Sequence, residues 1–349
     1  MRAAVFYEAK DIRVEDVEIP EVKENDVKVR VAWTGICGSD LHEYNAGPIF
    51  IPKDEASPLT GRQAPLTMGH EFSGVIEEVG SGVDGLKVGD KVTINSLITG
   101  KVHDNPLVDM YKGFTFVGLG SDGGFADFTV VDQRNIVKLQ DDTSLQIGAL
   151  VEPTAVALQA IRESEMNFSD SVAVFGAGPI GLLTVIAARA AGAKDIIVFD
   201  LSDNRLEKAK EVGATYVVNS GNEDPEEFVK KYYPDGVDRA FEVAGVPVTV
   251  NQAIAVTRAR GMVTIVSIFE KEMDFNPMLL TASGVRISST LAYEPDIFEA
   301  TVKMIESGQI DPSPVITDQI ELEDVVTKGF EELLNNKNQS KILVKLSGE

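Results

Sequence analysis

Three side chains of the sequence carry donor atoms from which a catalytic metal site can be built. Cys37, in the stretch GICGSDLH, is the one cysteine among 349 residues, His70 lies in MGHEFSG, and Glu152 begins EPTAVA. A thiolate, an imidazole and a carboxylate are all zinc ligands, and three protein ligands with an open fourth position are typical of catalytic zinc. The residue types therefore predict Cys37, His70 and Glu152 as ligands of one ion.

Each of these residues also has an ordinary structural interpretation. A lone cysteine is most often a small buried apolar side chain, and a histidine can belong to the core. An acidic residue at a helix start complements the helix dipole. Because the three residues lie on separate elements, their spacing alone does not show that they meet.

A second candidate site, for a dinucleotide, follows the apolar run SVAVF. Gly176 permits a tight turn, Gly178 lets a pyrophosphate approach the backbone, and Gly181 lets a helix pack closely on a strand. Pro179 and Ile180 begin that helix, whose first amides can bind phosphate. The pattern predicts a cofactor site on a strand-turn-helix unit.

The choice between NAD and NADP is predicted to depend on the end of the next strand, KDIIVFD. The carboxylate of Asp200 would bind ribose hydroxyls and repel a 2′-phosphate, which favours NAD. Arg205 could instead accept that phosphate. The structural alternative is a glycine-rich turn of some other α/β protein, with Asp200 as a helix cap.

The surrounding elements indicate two kinds of domain. Runs such as DVKVRVAWTGIC and KVGDKVTIN predict short strands with long loops in the first part of the chain. From Ser171, six apolar runs alternate with helical patterns, which predicts a doubly wound parallel sheet. We expect one domain over 1–153, joined by 294–349, and a second domain over 154–293.

Composition argues against several classes of partner. A net charge of -23 would repel nucleic acid and anionic membranes. No apolar run reaches the roughly 18 residues of a bilayer-spanning helix, and the N-terminus lacks the apolar block of a signal peptide. A single cysteine forms no internal disulfide. We therefore expect a cytoplasmic protein without nucleic-acid or membrane partners.

Taken together, the motifs resemble those of the zinc-dependent medium-chain dehydrogenases. GICGSDLH, GHEFSG, VEPTAVA and GAGPIG occur in that family's order over the whole chain, and HEYNAGPIFIP resembles its 2,3-butanediol dehydrogenase branch. The resemblance implies an α/β protein with a β-rich catalytic domain of the GroES type and a Rossmann domain that binds NAD. It also assigns Cys37, His70 and Glu152 to zinc, with Glu71 as an occasional ligand.

The implied reaction is hydride transfer from a zinc-bound alkoxide to NAD. Zinc lowers the pKa of bound water from 15.7 to about 7, a shift of roughly nine units or about 12 kcal/mol. By resemblance, Ser39 takes the alcohol proton, the cofactor ribose passes it on, and His42 delivers it to solvent. Asp40 is expected to orient His70. Turn and capping chemistry could also explain Ser39 and Asp40, and His42 could be a surface residue.

The implied substrate is a small vicinal diol, with 2,3-butanediol converted to acetoin and diacetyl also reduced. Ile49 and Phe50 are candidates for an apolar pocket wall or for plain core. The alternatives are a dehydrogenase of sorbitol-like polyols and a nucleotide-binding relative without catalysis.

One departure from the family concerns a second, structural zinc, which most relatives hold with four cysteines. The corresponding stretch, 93–116, contains no cysteine. We therefore expect one zinc per chain and packing by Phe114 and Phe116 instead, in a homo-oligomer that is a dimer or a tetramer. Three further polar residues of this stretch are expected in a surface loop: His103, Asp104 and Asp109.

Overall fold

The computed structural model describes residues 1–100, 106–269 and 272–348. The chain forms two compact units, one of Met1–Glu152 with Ile316–Glu349 and one of Pro153–Val315. The long helices and the parallel strands of the chain lie mainly in the second unit.

The chain up to the start of the second unit is rich in strands. Its elements, in chain order, are β1 (Arg2–Glu8), β2 (Asp11–Asp16), β3 (Asp26–Gly35), α1 (Gly38–Ala46), β4 (Leu66–Thr67), β5 (Glu71–Val79), β6 (Lys91–Ile94), β7 (Leu97–Thr99), α2 (Pro106–Lys112), β8 (Phe114–Phe116), β9 (Phe128–Asp132), β10 (Ile136–Lys138), α3 (Leu145–Gly148) and α4 (Val151–Glu163).

The second unit alternates strands and helices before the chain returns to the first. The alternating elements are β11 (Ser171–Phe175), α5 (Pro179–Ala190), β12 (Asp195–Asp200), α6 (Asp203–Glu211), β13 (Tyr216–Asn219), α7 (Pro225–Tyr232), β14 (Val237–Glu242), α8 (Pro247–Val256), β15 (Thr257–Ile265), α9 (Met278–Ser283), β16 (Arg286–Ser289) and α10 (Pro295–Glu306). The returning elements are β17 (Ile316–Glu321), α11 (Glu331–Asn335) and β18 (Lys341–Lys345).

The main sheet of the first unit brings distant segments side by side. Its order is β10-β6-β5-β3-β18-β17, and β9 also pairs with β3. Alternate residues of β3, Val27, Val29 and Val31, are fully buried, as expected for a strand with one face on the core. The C-terminal strand β18 lies antiparallel to β3, so the end of the chain packs beside the segment that carries Cys37.

The sheet of the second unit is parallel throughout, in the order β13-β12-β11-β14-β15-β16. From β11 the chain adds β12 and β13 on one side and β14 to β16 on the other. The carboxyl end of β11 is therefore the switch point where this architecture binds nucleotides. The predicted fold class, a GroES-like unit with a six-stranded Rossmann sheet, is confirmed.

The second domain boundary differs from the one expected at residue 294. Residues 294–315 belong to the second unit, and the chain returns to the first only at Ile316. Within this unit, the guanidinium of Arg162 of α4 lies 2.8 Å from carboxylate oxygens of both Glu294 and Asp296. These contacts hold the start of α10 on α4.

The stretch that lacks the four cysteines forms a small hairpin of β7 and β8. Phe114 and Phe116 pack edge to face there, with ring centroids 5.6 Å apart. Asp109, expected in a surface loop, lies instead on α2 and is only 6% exposed. His103 and Asp104 lie outside the described residues. None of the helices in the described ranges combines the length and apolar character needed to cross a membrane.

Candidate functional site

The pairing of β3 with β5 explains how the first two predicted ligands meet. Gly35, the last residue of β3, is paired with Glu71, the first residue of β5. Antiparallel strands place the end of one beside the start of the other. Cys37 follows β3 by two residues and His70 directly precedes β5, so strand register brings their side chains together.

The ligand atoms of Cys37, His70 and Glu71 all lie within 4.8 Å of one another. Cys37 is half-buried, whereas His70 is 4% and Glu71 0% exposed. Sulfur, nitrogen and oxygen donors are all zinc ligands. Two of the three residues are buried and Cys37 is partly exposed, as expected for a metal site that a substrate can reach.

The orientation of His70 also fits a metal ion. Asp40 Oδ1 lies 3.3 Å from His70 Nδ1, so Nε2 is the ring nitrogen on the side away from Asp40 that could bind a metal ion. Burial lowers the pKa of His70, but the Asp40 carboxylate and the Cys37 sulfur outweigh it and hold that pKa well above its ordinary value. The surrounding anionic groups therefore favour a positive charge at this position, which a divalent cation would supply.

Helix α1 carries the residues expected to move the proton. Ser39 Oγ lies 3.2 Å from His70 Nε2, on the ligand side of the ring. His42 lies three residues further along the same helix and is partly exposed. Asp40 Oδ2 also accepts a hydrogen bond from the Cys37 backbone amide at 2.9 Å, so the capping interpretation of Asp40 holds together with its contact to His70.

The structure does not group Glu152 with the other two predicted ligands. Within the described ranges, the carboxylate that joins Cys37 and His70 is that of Glu71. Glu152, the second residue of α4, is 5% exposed and contributes to the electrostatic environment of Lys341. Glu152 as a zinc ligand stays a prediction.

Lys341 is a residue of this site that the sequence did not reveal. It is 1% exposed, and its ammonium donates to Glu71 Oε1 at 2.8 Å, to Glu71 Oε2 at 2.6 Å and to the Ile36 carbonyl at 2.9 Å. Burial opposes its charge, but Glu71 and Cys37 hold the pKa of Lys341 above its ordinary value. A lysine within the apolar strand KILVK was the available signal, because a buried lysine needs an anionic partner.

Gly35 makes room for this ion pair. A Cβ atom built at Gly35 would lie 2.2 Å from Glu71 Oε2, closer than any real contact. The Glu71 carboxylate therefore packs directly against the backbone of β3. Any side chain at Gly35 would occupy the same space.

The candidate pocket residues after α1 have different environments. Ile49 is half-exposed, whereas Phe50 packs against the core of the first unit. The buried carboxylate of Glu43 accepts hydrogen bonds from the backbone amides of Ile49, Phe50 and Ile51, so this short segment is held in place from α1.

The glycine-rich turn has the geometry of a phosphate cradle. Gly176 has φ +108, which favours glycine, and a Cβ at Gly181 would lie 2.0 Å from the Gly176 carbonyl oxygen. A Cβ at Gly178, by contrast, would have no atom within 4 Å. That space lies at the N-cap of α5, whose first residues are Pro179 and Ile180, where a pyrophosphate binds in this architecture.

Asp200 is tied to the same turn. Its Oδ2 accepts a hydrogen bond from the Ala177 amide at 2.7 Å, and its Oδ1 accepts one from the Ser202 amide at 2.8 Å. An ionised carboxylate has about four lone-pair positions, so these bonds leave capacity for ribose hydroxyls. Arg205 lies partly buried on α6, in the turn that follows Asp200.

Comparisons with known proteins agree with this geometry. Residues 179–307 match the family described as zinc-binding dehydrogenase, and residues 23–141 match the alcohol dehydrogenase GroES-like domain. (R,R)-butanediol dehydrogenase of Bacillus subtilis is 44% identical over 346 residues, which cover 99% of each chain. The chain belongs to the zinc-binding alcohol dehydrogenase family. Its members use a nicotinamide cofactor in the Rossmann unit and act on small molecules.

Solved structures extend the family match to three dimensions. The crystal structure of 2R,3R-butanediol dehydrogenase from Bacillus subtilis superposes with a TM-score of 0.93 at 43% identity and covers 99% of each chain. A zinc-binding dehydrogenase from Sinorhizobium meliloti, bound to NADP, has a TM-score of 0.88 at 27% identity, covering 99% of this chain and 98% of that one.

Proposed function

We propose that the chain is an NAD-dependent, zinc-dependent dehydrogenase that interconverts (R,R)-2,3-butanediol and acetoin and also reduces diacetyl. The observation that carries the proposal is the cluster of Cys37, His70 and Glu71, with Ser39 on the ligand side of the imidazole. The diol as substrate is supported by the full-length similarity to a butanediol dehydrogenase.

Zinc binding and proton transfer would be carried out by different residues of the site. Cys37 and His70 would hold one zinc ion, and the Asp40 contact would keep His70 Nε2 directed at it. When bound, zinc would supply a Lewis acid that favours the deprotonated form of the substrate hydroxyl. Ser39 Oγ would accept the hydroxyl proton while passing its own proton to the cofactor ribose, and His42 would release a proton to solvent.

We propose Glu152 as the third resident ligand, because Lys341 already engages both oxygens of Glu71. Glu152→Gln should then lower zinc affinity by more than about a hundredfold, beyond the range typical of residues behind the ligands. Glu71→Gln should lower it by no more than about 10–100-fold. Competition with a chromogenic chelator measures both, and a larger loss in Glu71→Gln would identify Glu71 as the ligand instead.

For the cofactor we propose NAD over NADP, because the carboxylate of Asp200 at the end of β12 would repel a 2′-phosphate. Specificity constants for the two cofactors with the same diol test this directly. Equal constants would mean that Arg205 compensates for the repulsion.

The decisive experiment on the reaction combines metal analysis with stereochemistry. We expect one zinc per purified chain, faster NAD reduction with (R,R)-2,3-butanediol than with the (S,S) isomer or sorbitol, and R-configured product from diacetyl. Faster turnover of sorbitol would favour a polyol dehydrogenase. A protein that binds zinc and NADH but turns over none of these compounds would contradict the proposal.

We also propose that the chain forms a homo-oligomer, a dimer or a tetramer. Apolar side chains of α9 are exposed, Met278 by 61% and Leu279 by 40%, beside the edge strand β16. Light scattering during size-exclusion chromatography tests this, and a monomer at micromolar concentration would contradict it.

A further inference from the structure

A buried carboxylate in the second unit has no part in the chemistry above. Glu242, the last residue of β14, is 0% exposed. Its Oε1 accepts hydrogen bonds from the backbone amides of Ala244 at 3.0 Å and Gly245 at 2.9 Å, and lies 2.7 Å from Thr249 Oγ1. Ser267 Oγ donates to its Oε2. Thr249 Oγ1 lies equally close, 2.7 Å, to the Val246 carbonyl oxygen, so its one proton is shared between two acceptors. The two amides and the Ser267 hydroxyl nevertheless give both oxygens of this buried carboxylate a donor.

These bonds tie together three segments at one edge of the sheet. The two amides belong to the turn after β14, Thr249 lies in the first turn of α8, and Ser267 follows β15 by two residues. All three segments therefore meet at the carboxyl ends of β14 and β15, the edge where a doubly wound sheet binds its ligand.

The same turn also contacts the glycine-rich turn. A Cβ at Gly176 would lie 3.1 Å from both the Ala244 nitrogen and the Val243 carbonyl carbon, and the Val243 amide donates to the Phe175 carbonyl at 3.0 Å. Gly245 has φ +72, and its Cβ position lies 2.8 Å from the Ile268 carbonyl oxygen. The turn is thus confined between the phosphate cradle and the end of β15.

Strand order indicates which half of the cofactor this turn faces. The sheet consists of two mononucleotide-binding halves that meet at β11. Asp200 marks the half of β12 as the adenosine half, because the acidic residue that binds the adenosine ribose ends that strand. The ends of β14 and β15 consequently belong to the half that receives nicotinamide.

We propose that Glu242 is a positioning residue for the nicotinamide half of the cofactor. By accepting from two backbone amides and the Ser267 hydroxyl, with Thr249 Oγ1 also in contact, its carboxylate fixes the turn after β14 against the end of β15 before the cofactor binds. The inference concerns binding of the dinucleotide and does not depend on which alcohol the enzyme oxidises.

Calorimetric titration with NADH and with ADP-ribose, which lacks nicotinamide, tests the proposal. Glu242→Met removes the acceptor at similar side-chain length and should raise the dissociation constant for NADH about tenfold or more, while that for ADP-ribose changes less than about twofold. Glu242→Gln should restore NADH affinity to within about threefold, because its oxygen can serve the two amides and its NH₂ group can donate to Ser267. Glu299→Met, at an exposed position of α10, is the matched control.

Thr249→Val keeps the test valid even where Glu242→Met does not fold. It removes one hydroxyl from the cluster at nearly constant shape and should weaken NADH two- to fivefold, an order-of-magnitude expectation for one hydrogen bond, again without affecting ADP-ribose. Unchanged NADH affinity in Glu242→Met, or in Thr249→Val when Glu242→Met is unfolded, would overturn the proposal. Equal loss of both ligands would also overturn it, as would a Gln variant as weak as the Met variant.

Discussion

Replacing Lys341 with methionine would remove the cation that pairs with Glu71 while keeping an unbranched side chain of similar length. The change leaves a carboxylate that is 0% exposed without the two hydrogen bonds of 2.8 and 2.6 Å from the ammonium. It also leaves the Ile36 carbonyl without its 2.9 Å donor.

Breaking a buried ion pair from one side costs about 3–5 kcal/mol, because the remaining charge stays buried without compensation. Removing both charges is far less costly, since two apolar groups of similar shape leave no buried charge behind. We therefore expect Lys341→Met to lower the free energy of unfolding of the first unit by about 3–5 kcal/mol, and the double variant with Glu71→Met to recover most of that loss.

Urea unfolding, monitored by tryptophan fluorescence, measures the loss of stability of the first unit. Trp33 is the one tryptophan of the chain, is 5% exposed, and pairs with Lys345 across β3 and β18. Its emission therefore reports on the first unit even when the two units unfold separately. With chelator present, and with an m-value of about 2.5–3 kcal/mol/M, the midpoint should fall by roughly 1–2 M.

Lys345→Met is the matched control, because Lys345 lies on the same strand but is 44% exposed. Its ion pair with Glu321 is long, at 4.0 Å. An exposed pair of this kind should change stability by less than about 0.5 kcal/mol. The reasoning is refuted when Lys341→Met unfolds with the control's midpoint, or when the double variant is no more stable than Lys341→Met alone.

Two further predictions concern the metal and the cofactor. Asp40→Asn should lower zinc affinity about 10–100-fold, because the amide holds His70 less firmly than the carboxylate at 3.3 Å; chelator competition measures this, and unchanged affinity would contradict it. Gly178→Ala should leave thermal stability without cofactor unchanged, since its Cβ would have no atom within 4 Å, yet weaken NADH about tenfold or more by filling the space for the pyrophosphate. Titration calorimetry and a thermal melt of the same sample check both halves, and equal NADH affinity would refute the steric argument.

The sequence predicted the cofactor turn in more detail than the metal site, and the reason is physical. Gly176, Gly178 and Gly181 act within six consecutive residues, so local geometry alone places them on a strand, a turn and a helix. The metal cluster instead depends on the register between β3 and β5, which no local pattern determines. Motif resemblance named Cys37 and His70, but only the register shows why Glu71 joins them.

Long-range partners account for what the sequence did not predict. Lys341 lies 270 residues from Glu71 in the chain, and nothing near either residue specifies the other. The return of the chain to the first unit was expected at residue 294 because the helical pattern changes there. The compact units divide at Ile316, and the ion pairs of Arg162 with Glu294 and Asp296 join segments more than a hundred residues apart.

Lys341 connects the stability of the first unit to the choice of zinc ligand. For Glu71 to coordinate a metal fully, its carboxylate would have to give up at least part of its contact with a buried ammonium, at a cost set by the strength of that pair. Glu152 also contributes to the electrostatic environment of Lys341, although both oxygens of Glu71 are the ones that accept from its ammonium. On the proposal that Glu152 is the resident ligand, the lysine would keep Glu71 as a second carboxylate within 4.8 Å of the Cys37 and His70 donors. A zinc ion held by Cys37 and His70 would therefore have Glu71 nearby as an occasional ligand, because strand register already places this carboxylate beside them.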